Sequence, residues 1–202
     1  MAADLTPHEG DLEPDEDYEG MLFDGSSFAD AGAAHCHFLD CSFLAASFDG
    51  GQLRKARFTD VTLSGCALAG VQAFSASMRR VTFRGCKLDS VNFRSGTLTE
   101  VTFEDCLLRD AEFGGATLRR VSFGGCTLAR ADFAKASCAE VDLRGAELGI
   151  SGGYESLGGT TIDSVQLVAL APLLARHLGI TVTDRRDVLR SARPFARSLA
   201  AL

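Results

Sequence analysis

The chain has 202 residues, a formal net charge of −7, and 14 Phe with no Trp. It contains no apolar run of the roughly 18 residues that a membrane-spanning helix needs. Its N-terminus has neither a basic region nor an apolar core of the kind that marks a signal peptide, so a cytoplasmic location is expected.

Residues 1–20 are acidic. Asp4, Glu9, Asp11, Glu13, Asp15, Glu16, Asp17 and Glu19 face no Lys or Arg, and Pro7 and Pro14 interrupt the stretch. Low apolar content with one sign of charge predicts a segment disordered at least in part. Its role is either that of a solubilising tail or that of an acidic arm for a basic groove.

From 21 to 150 the chain repeats every five residues. Stepping by five from Phe23 meets Phe28, Ala33, Phe38, Phe43, Phe48 and Leu53, and the run continues without a slip to Leu148. Nearly all of these positions are Phe or Leu, and a small residue such as Val81, Cys86, Val91 or Gly96 sits two places before each. Neither helix nor flat strand keeps a five-residue period on one face, so the chain must turn a corner at every repeat. A second period of 20 relates Cys66, Cys86, Cys106 and Cys126, and also Val61, Val81, Val101, Val121 and Val141. Four repeats therefore complete one square turn, and like residues stack on like.

This pattern resembles the pentapeptide-repeat family, most plainly at Ala131-Asp132-Phe133-Ala134-Lys135, Val141-Asp142-Leu143-Arg144-Gly145 and Ala146-Glu147-Leu148. The resemblance implies an all-β solenoid, a right-handed quadrilateral β-helix. The repeat count predicts about 6.5 coils over 21–150, and at the spacing of stacked strands that rod is about 30 Å long. Cys36, Cys41, Cys66, Cys86, Cys106 and Cys126 fall at the small inward position and read as buried small hydrophobes. His35 and His37 flank Cys36 on the outside, which does not make a metal site. Neither a metal nor any other cofactor is expected.

Charge on the rod is nearly balanced, and most of the acidity lies in residues 1–20. Asp40, Asp60, Arg80, Glu100, Arg120 and Glu140 share one column of the 20-residue period and read as a structural charge ladder that doubles as a candidate partner face. Gly65, Gly85, Gly125 and Gly145 mark a corner that needs φ > 0 or a close backbone approach. At Val71-Gln72-Ala73-Phe74-Ser75 the Phe falls one place late, so either Phe74 is exposed as a contact residue or the turn bulges. Ala33 is a similar underfilled slot.

Residues 151–182 form a second unit. Glycines at 152, 153, 158 and 159 predict a flexible break. Asp163 then reads as a helix N-cap, with Gln166 completing a capping box. Leu167, Leu170, Leu174 and Leu178 recur at helical spacing, Pro172 is placed to kink or split the helix, and Gly179 fits its C-terminus. This stripe is a candidate cap for the open end of the rod, a candidate dimer face, or both. Ile180-Thr181-Val182 reads as a short strand, and 183–202 as a basic tail.

No Ser, Cys or His triad is visible, and a filled rod leaves no substrate cavity, so the chain reads as non-enzymatic. The ending Leu173-Leu174-Ala175-Arg176-His177-Leu178-Gly179-Ile180-Thr181-Val182 is similar to that of gyrase-protecting pentapeptide-repeat proteins. That resemblance implies an end-to-end homodimer which binds DNA gyrase by imitating duplex DNA, without binding nucleic acid or membrane itself. The alternative is a generic protein-interaction scaffold. A continuous acidic face favours the first, and faces of mixed charge favour the second.

Overall fold

The computed structural model describes residues 5–29 and 32–183. They form a parallel β-solenoid of about seven turns closed by one C-terminal helix. Register follows the 20-residue period directly: Val61, Val81 and Val101 are paired in succession, as are Phe83, Phe103 and Phe123. Each turn has four sides, which in one coil are residues 81–83, 86–88, 91–93 and 96–98, here called first to fourth.

What turns the chain is the backbone of every fifth residue. All described positions divisible by five from Gly10 to Gly145 have positive φ, and 17 of the residues in that region are not glycine. After the second and third sides the corner is a tight turn. Val91 N–H donates to the Leu88 carbonyl at 3.2 Å and Gly96 N–H to that of Phe93 at 3.0 Å, with the left-handed residue third in each turn. This is the type II arrangement. Between the fourth and first sides the strands Arg57–Ser64, Ser77–Arg84 and Thr97–Glu104 instead run through the corner uninterrupted.

The corner after the first side explains the cysteines. There the N–H groups of Cys86 and Cys106 donate to the sulfurs of Cys106 and Cys126, both at 3.4 Å. The thiols of Cys66, Cys86, Cys106 and Cys126 in turn reach the carbonyls of Phe43, Leu63, Phe83 and Phe103 at 3.4–3.5 Å. Cysteine therefore fills the slot as a small hydrophobe and also supplies the hydrogen-bonding capacity that a buried corner lacks. All seven cysteines are free thiols.

Packing inside the square obeys a volume rule. In the coil around 103, Phe103 and Phe113 occupy opposite sides and Leu108 and Leu118 the other two, all fully buried. Rings stack along the rod, with Phe83, Phe103 and Phe123 centred 4.8 and 4.9 Å apart. Ala33 shares its coil with Phe23, Phe28 and Phe38, so its small size compensates for three rings. Ala73 has no such justification beside Leu63, Leu68 and Met78, and an apolar void of about 10 Å³ lies there.

Both ends depart from expectation. Residues 6–20, expected to be at least partly disordered, wind onto the rod. Thr6–Pro7 pairs with Met21–Leu22, and Asp17–Glu19 pairs with His37–Leu39. Leu12 and Tyr18 are buried, with Tyr18 stacked on Phe38 at 5.2 Å. The negative charges point outward around these two anchors, which lengthens the solenoid beyond 6.5 coils. At the other end the glycine-rich 151–159 is no flexible break. It holds a 3-10 turn, Tyr154–Leu157, and leads directly into a strand, Thr160–Thr161, paired to Val141–Asp142. Gly153, at φ 84°, passes so close to the Phe133 backbone that a side chain would collide with it.

The capping helix α1, Ser164–His177, begins as expected. Asp163 accepts from the N–H groups of Val165 and Gln166, and Gln166 Oε1 accepts from that of Asp163. Gly179, at φ 70°, ends it, with Ile180 N–H donating back to the Ala175 carbonyl at 2.8 Å. Pro172 neither splits nor ends the helix; it sits on the solvent side, near exposed Val168. Among the described residues Ile180-Thr181-Val182 forms no strand, and Ile180 and Val182 are exposed. The basic tail lies outside the described residues beyond Thr183.

Candidate functional site

Because the interior is filled, the described surface available to another molecule lies on the sides and at the two ends of the rod. The outward residues form columns one coil apart, and oppositely charged members pair. Arg80 meets Asp60 and Arg120 meets Glu100 in the candidate column of the fourth corner. Arg109 grips both carboxylate oxygens of Asp89, at 3.0 and 2.7 Å, Arg130 does the same to Asp110, and Arg84 reaches Glu104 at 2.8 Å. The hydrogen-bonding arginine holds each of Asp60, Asp89, Glu100 and Asp110 below the usual carboxylate range. Asp40 and Glu140 occupy the same column as Asp60 but have no ion pair among the described residues.

From residue 21 onward charge is divided across the rod. On the first and second sides, the described acidic residues are Asp24, Asp49, Asp89, Glu104, Asp105, Asp110, Asp142 and Glu147. Against them stand Arg84, Lys87, Arg109, Arg130 and Arg144, for a net −3. The third and fourth sides carry Asp40, Asp60, Glu100, Glu112, Asp132 and Glu140. Their cations are Arg54, Lys55, Arg57, Arg79, Arg80, Arg94, Arg119, Arg120 and Lys135, for a net +3 over residues 32–150, which Asp15, Glu16, Asp17 and Glu19 of the first coil turn to −1. Assigning the column from Asp40 to Glu140 to the other half only widens this split. Beyond the first coil each half is thus biased, but signs alternate along its columns and neither is a continuous acidic face.

Phe74 is exposed at 40%, and the turn does not bulge. Ala73 keeps the inward slot, Gln72 stays bridged to Asn92, and Ala76 N–H closes the turn on Ala73 at 3.0 Å. The structure does not bring Phe74 together with the column from Asp40 to Glu140; the width of the fourth side separates them. His35 and His37 turn outward beside buried Cys36, each facing an aspartate of the preceding coil, Asp15 at 3.6 Å and Asp17 at 3.9 Å.

Of the four leucines on α1, only Leu170 is buried and Leu174 partly so, while Leu167 and Leu178 are exposed. The residue that sequence periodicity missed is Gln166. Buried at the rod's end, its Nε2 donates to the carbonyls of Leu143 at 2.6 Å and Ala146 at 2.7 Å. It thereby satisfies acceptors that the next coil would otherwise take. The opposite flank, with Val165, Val168, Leu178, Ile180 and Val182, is open. No described helix is long and apolar enough to cross a membrane.

Residues 56–133 match the family model described as a pentapeptide repeat region. No curated protein matches the chain. Among solved structures it is similar to a trypsin-treated form of QnrB1, a plasmid-mediated fluoroquinolone resistance protein, at 19% identity and a TM-score of 0.41, over 89% of this chain and 100% of that one. It is also similar to HetL, a pentapeptide repeat protein involved in heterocyst differentiation regulation in the cyanobacterium Nostoc sp. strain PCC 7120. There the identity is 16% and the TM-score 0.35, over 75% of this chain and 91% of that one. A pentapeptide repeat protein of the Arabidopsis thaliana thylakoid lumen gives 16% and 0.25, over 78% and 76%.

Proposed function

We propose that this chain, which carries a pentapeptide-repeat region, is a non-enzymatic rod that binds another protein through its sides. The observation that carries this reading is the division of charge across the rod beyond its acidic first coil, −3 on two sides and +3 on the other two over the described residues of 21–150. Cross-coil ion pairs hold these groups on a backbone that repeats every 20 residues. Such a surface offers fixed electrostatic complementarity, which governs partner choice and association rate more than raw affinity. The open flank of α1 favours a homodimer joined end to end, with Val168 and Ile180 at its centre. Sedimentation or light scattering on wild type and on Val168→Glu with Ile180→Glu tests that part; a wild-type monomer overturns it.

DNA gyrase is the partner suggested by the C-terminal ending that resembles gyrase-protecting members. The acidic half of the rod supports this choice, and the basic half opposes it for any partner that grips the rod from all sides. A supercoiling assay with increasing protein, with and without a fluoroquinolone, decides. Inhibition at micromolar protein, or rescue from drug-induced cleavage, supports gyrase. No effect on gyrase from the native host removes gyrase and leaves a scaffold for a different protein.

A further inference from the structure

We propose that the corner at Phe74 docks an acidic segment of a protein partner, one that carries an apolar side chain among its carboxylates. This deepens the protein-binding reading above and rests on it. Phe74 belongs to a column in which Arg54 precedes it by one coil and Arg94 follows by one. Lys55 N–H bonds the Phe74 carbonyl at 3.0 Å and Ser75 N–H that of Arg94 at 2.9 Å, so the three residues stack at the coil spacing. Two guanidinium side chains therefore rise from the coils on either side of an exposed ring.

Hollows open on both sides of that ring. One is bounded by Ala34, His35, Arg54 and Lys55. The other arises because the column shrinks to Gly114 and Ala134 beyond Arg94, and Lys135 closes it. Arg54, Lys55 and Lys135 have no ion pair among the described residues, and Arg94 makes only a 3.4 Å contact with Glu112. On a rod that pairs most of its other arginines, this corner leaves Arg54, Lys55 and Lys135 without an ion pair among the described residues, beside its most exposed aromatic ring. An aromatic anchor ringed by cations matches carboxylates interleaved with an apolar group.

Nucleic acid fits less well. Glu112 and Asp132 lie in the second hollow, where a continuous phosphate chain would run over them. A peptide can place an N–H or a hydroxyl at that point. A single ring is also no stacking platform for successive bases.

The test is fluorescence anisotropy of the full chain with a labelled peptide of roughly 12 residues, Glu and Asp around one central Phe. Comparators are the same peptide with Ser for Phe, and an oligothymidylate of equal length. Saturable binding that weakens as salt rises from about 50 to about 500 mM is expected. Phe74→Ala, and Arg54→Glu with Lys55→Glu, should each weaken it about tenfold or more, with melting curves near wild type. Asp24→Lys with Glu147→Lys on the other half should not weaken it. Absence of peptide binding, variants that bind like wild type, or tighter binding of the oligonucleotide would each overturn the proposal. Photo-crosslinking groups at positions 74, 82 and 107 in the native host separate the two levels. Protein adducts only at 82 or 107 sink this corner and leave the protein-binding reading intact; no adduct at any position sinks both.

Discussion

Replacing Gly85 with alanine isolates the energy that the corners store. Gly85 has φ 57°, and a Cβ built on it meets nothing within 4 Å, so steric contact contributes nothing. A non-glycine residue in the left-handed region costs roughly 1–2 kcal/mol. Reduced freedom of the unfolded chain returns roughly 0.4–1 kcal/mol of that. The net expectation is a loss of roughly 0.8 kcal/mol, the difference of the two mid-range values. Ala45, at φ 48° in the same column, shows that the fold tolerates such a residue. Ser90, at φ 57° and making no side-chain hydrogen bond among the described residues, provides the converse, and Ser90→Gly should raise stability by a similar amount. Urea unfolding followed by circular dichroism reads both, with the slope unchanged and only the midpoint moving. If Gly85→Ala is as stable as wild type, or Ser90→Gly less stable, the corner argument fails.

Phe103→Ala should cost about 3–5 kcal/mol in the same assay, since it empties a fully buried slot between two stacked rings, and Phe103→Leu clearly less. Gln166→Ala strips two buried carbonyls of their donor and should cost about 1–3 kcal/mol, with faster amide exchange across α1 before the rod. Asp89 has a folded-state pKa depressed by Arg109, so its contribution is present above the unfolded carboxylate value of about 3.9 and lost as pH falls through the folded one. Asp89→Asn should accordingly flatten the acid side of the stability profile, and added salt should shrink the difference. Contact with the neighbouring thiol and burial push Cys86 up to about 11 and Cys106 to about 12. Both should resist iodoacetamide at about pH 8 until urea unfolds the chain.

The rod was legible because its two periods are geometric. A residue every five steps must face inward at a corner, and like residues 20 apart must stack. The capping box was legible because Asp163 and Gln166 act locally. What escaped the sequence depends on surroundings. The acidic residues 6–20 look disordered until Leu12 and Tyr18 find an exposed coil end to cover. Leucine spacing on α1 could not reveal that the rod takes Leu170 and Leu174 and leaves Leu167 and Leu178 outside, nor that Gln166 points inward. For Cys86 and Cys106 the inward position was evident, but their bonds to the corner backbone depend on a corner without a tight turn. Phe74 stood out as an irregularity; the cations around it became a group only once columns one coil apart were placed side by side.

Pairing in steps of 20 residues between Asp17 and Gly149 has a consequence for how this molecule can change size. Removing residues 86–105 would join Gly85 to Cys106 and restore every column, whereas removing 15 or 25 would set every later side a quarter turn out of phase. Length is therefore quantised, in increments of about 4.8 Å. Duplication or loss of a coil beyond Arg94 would move Phe74 and its two flanking arginines relative to the helical end like marks on a ruler.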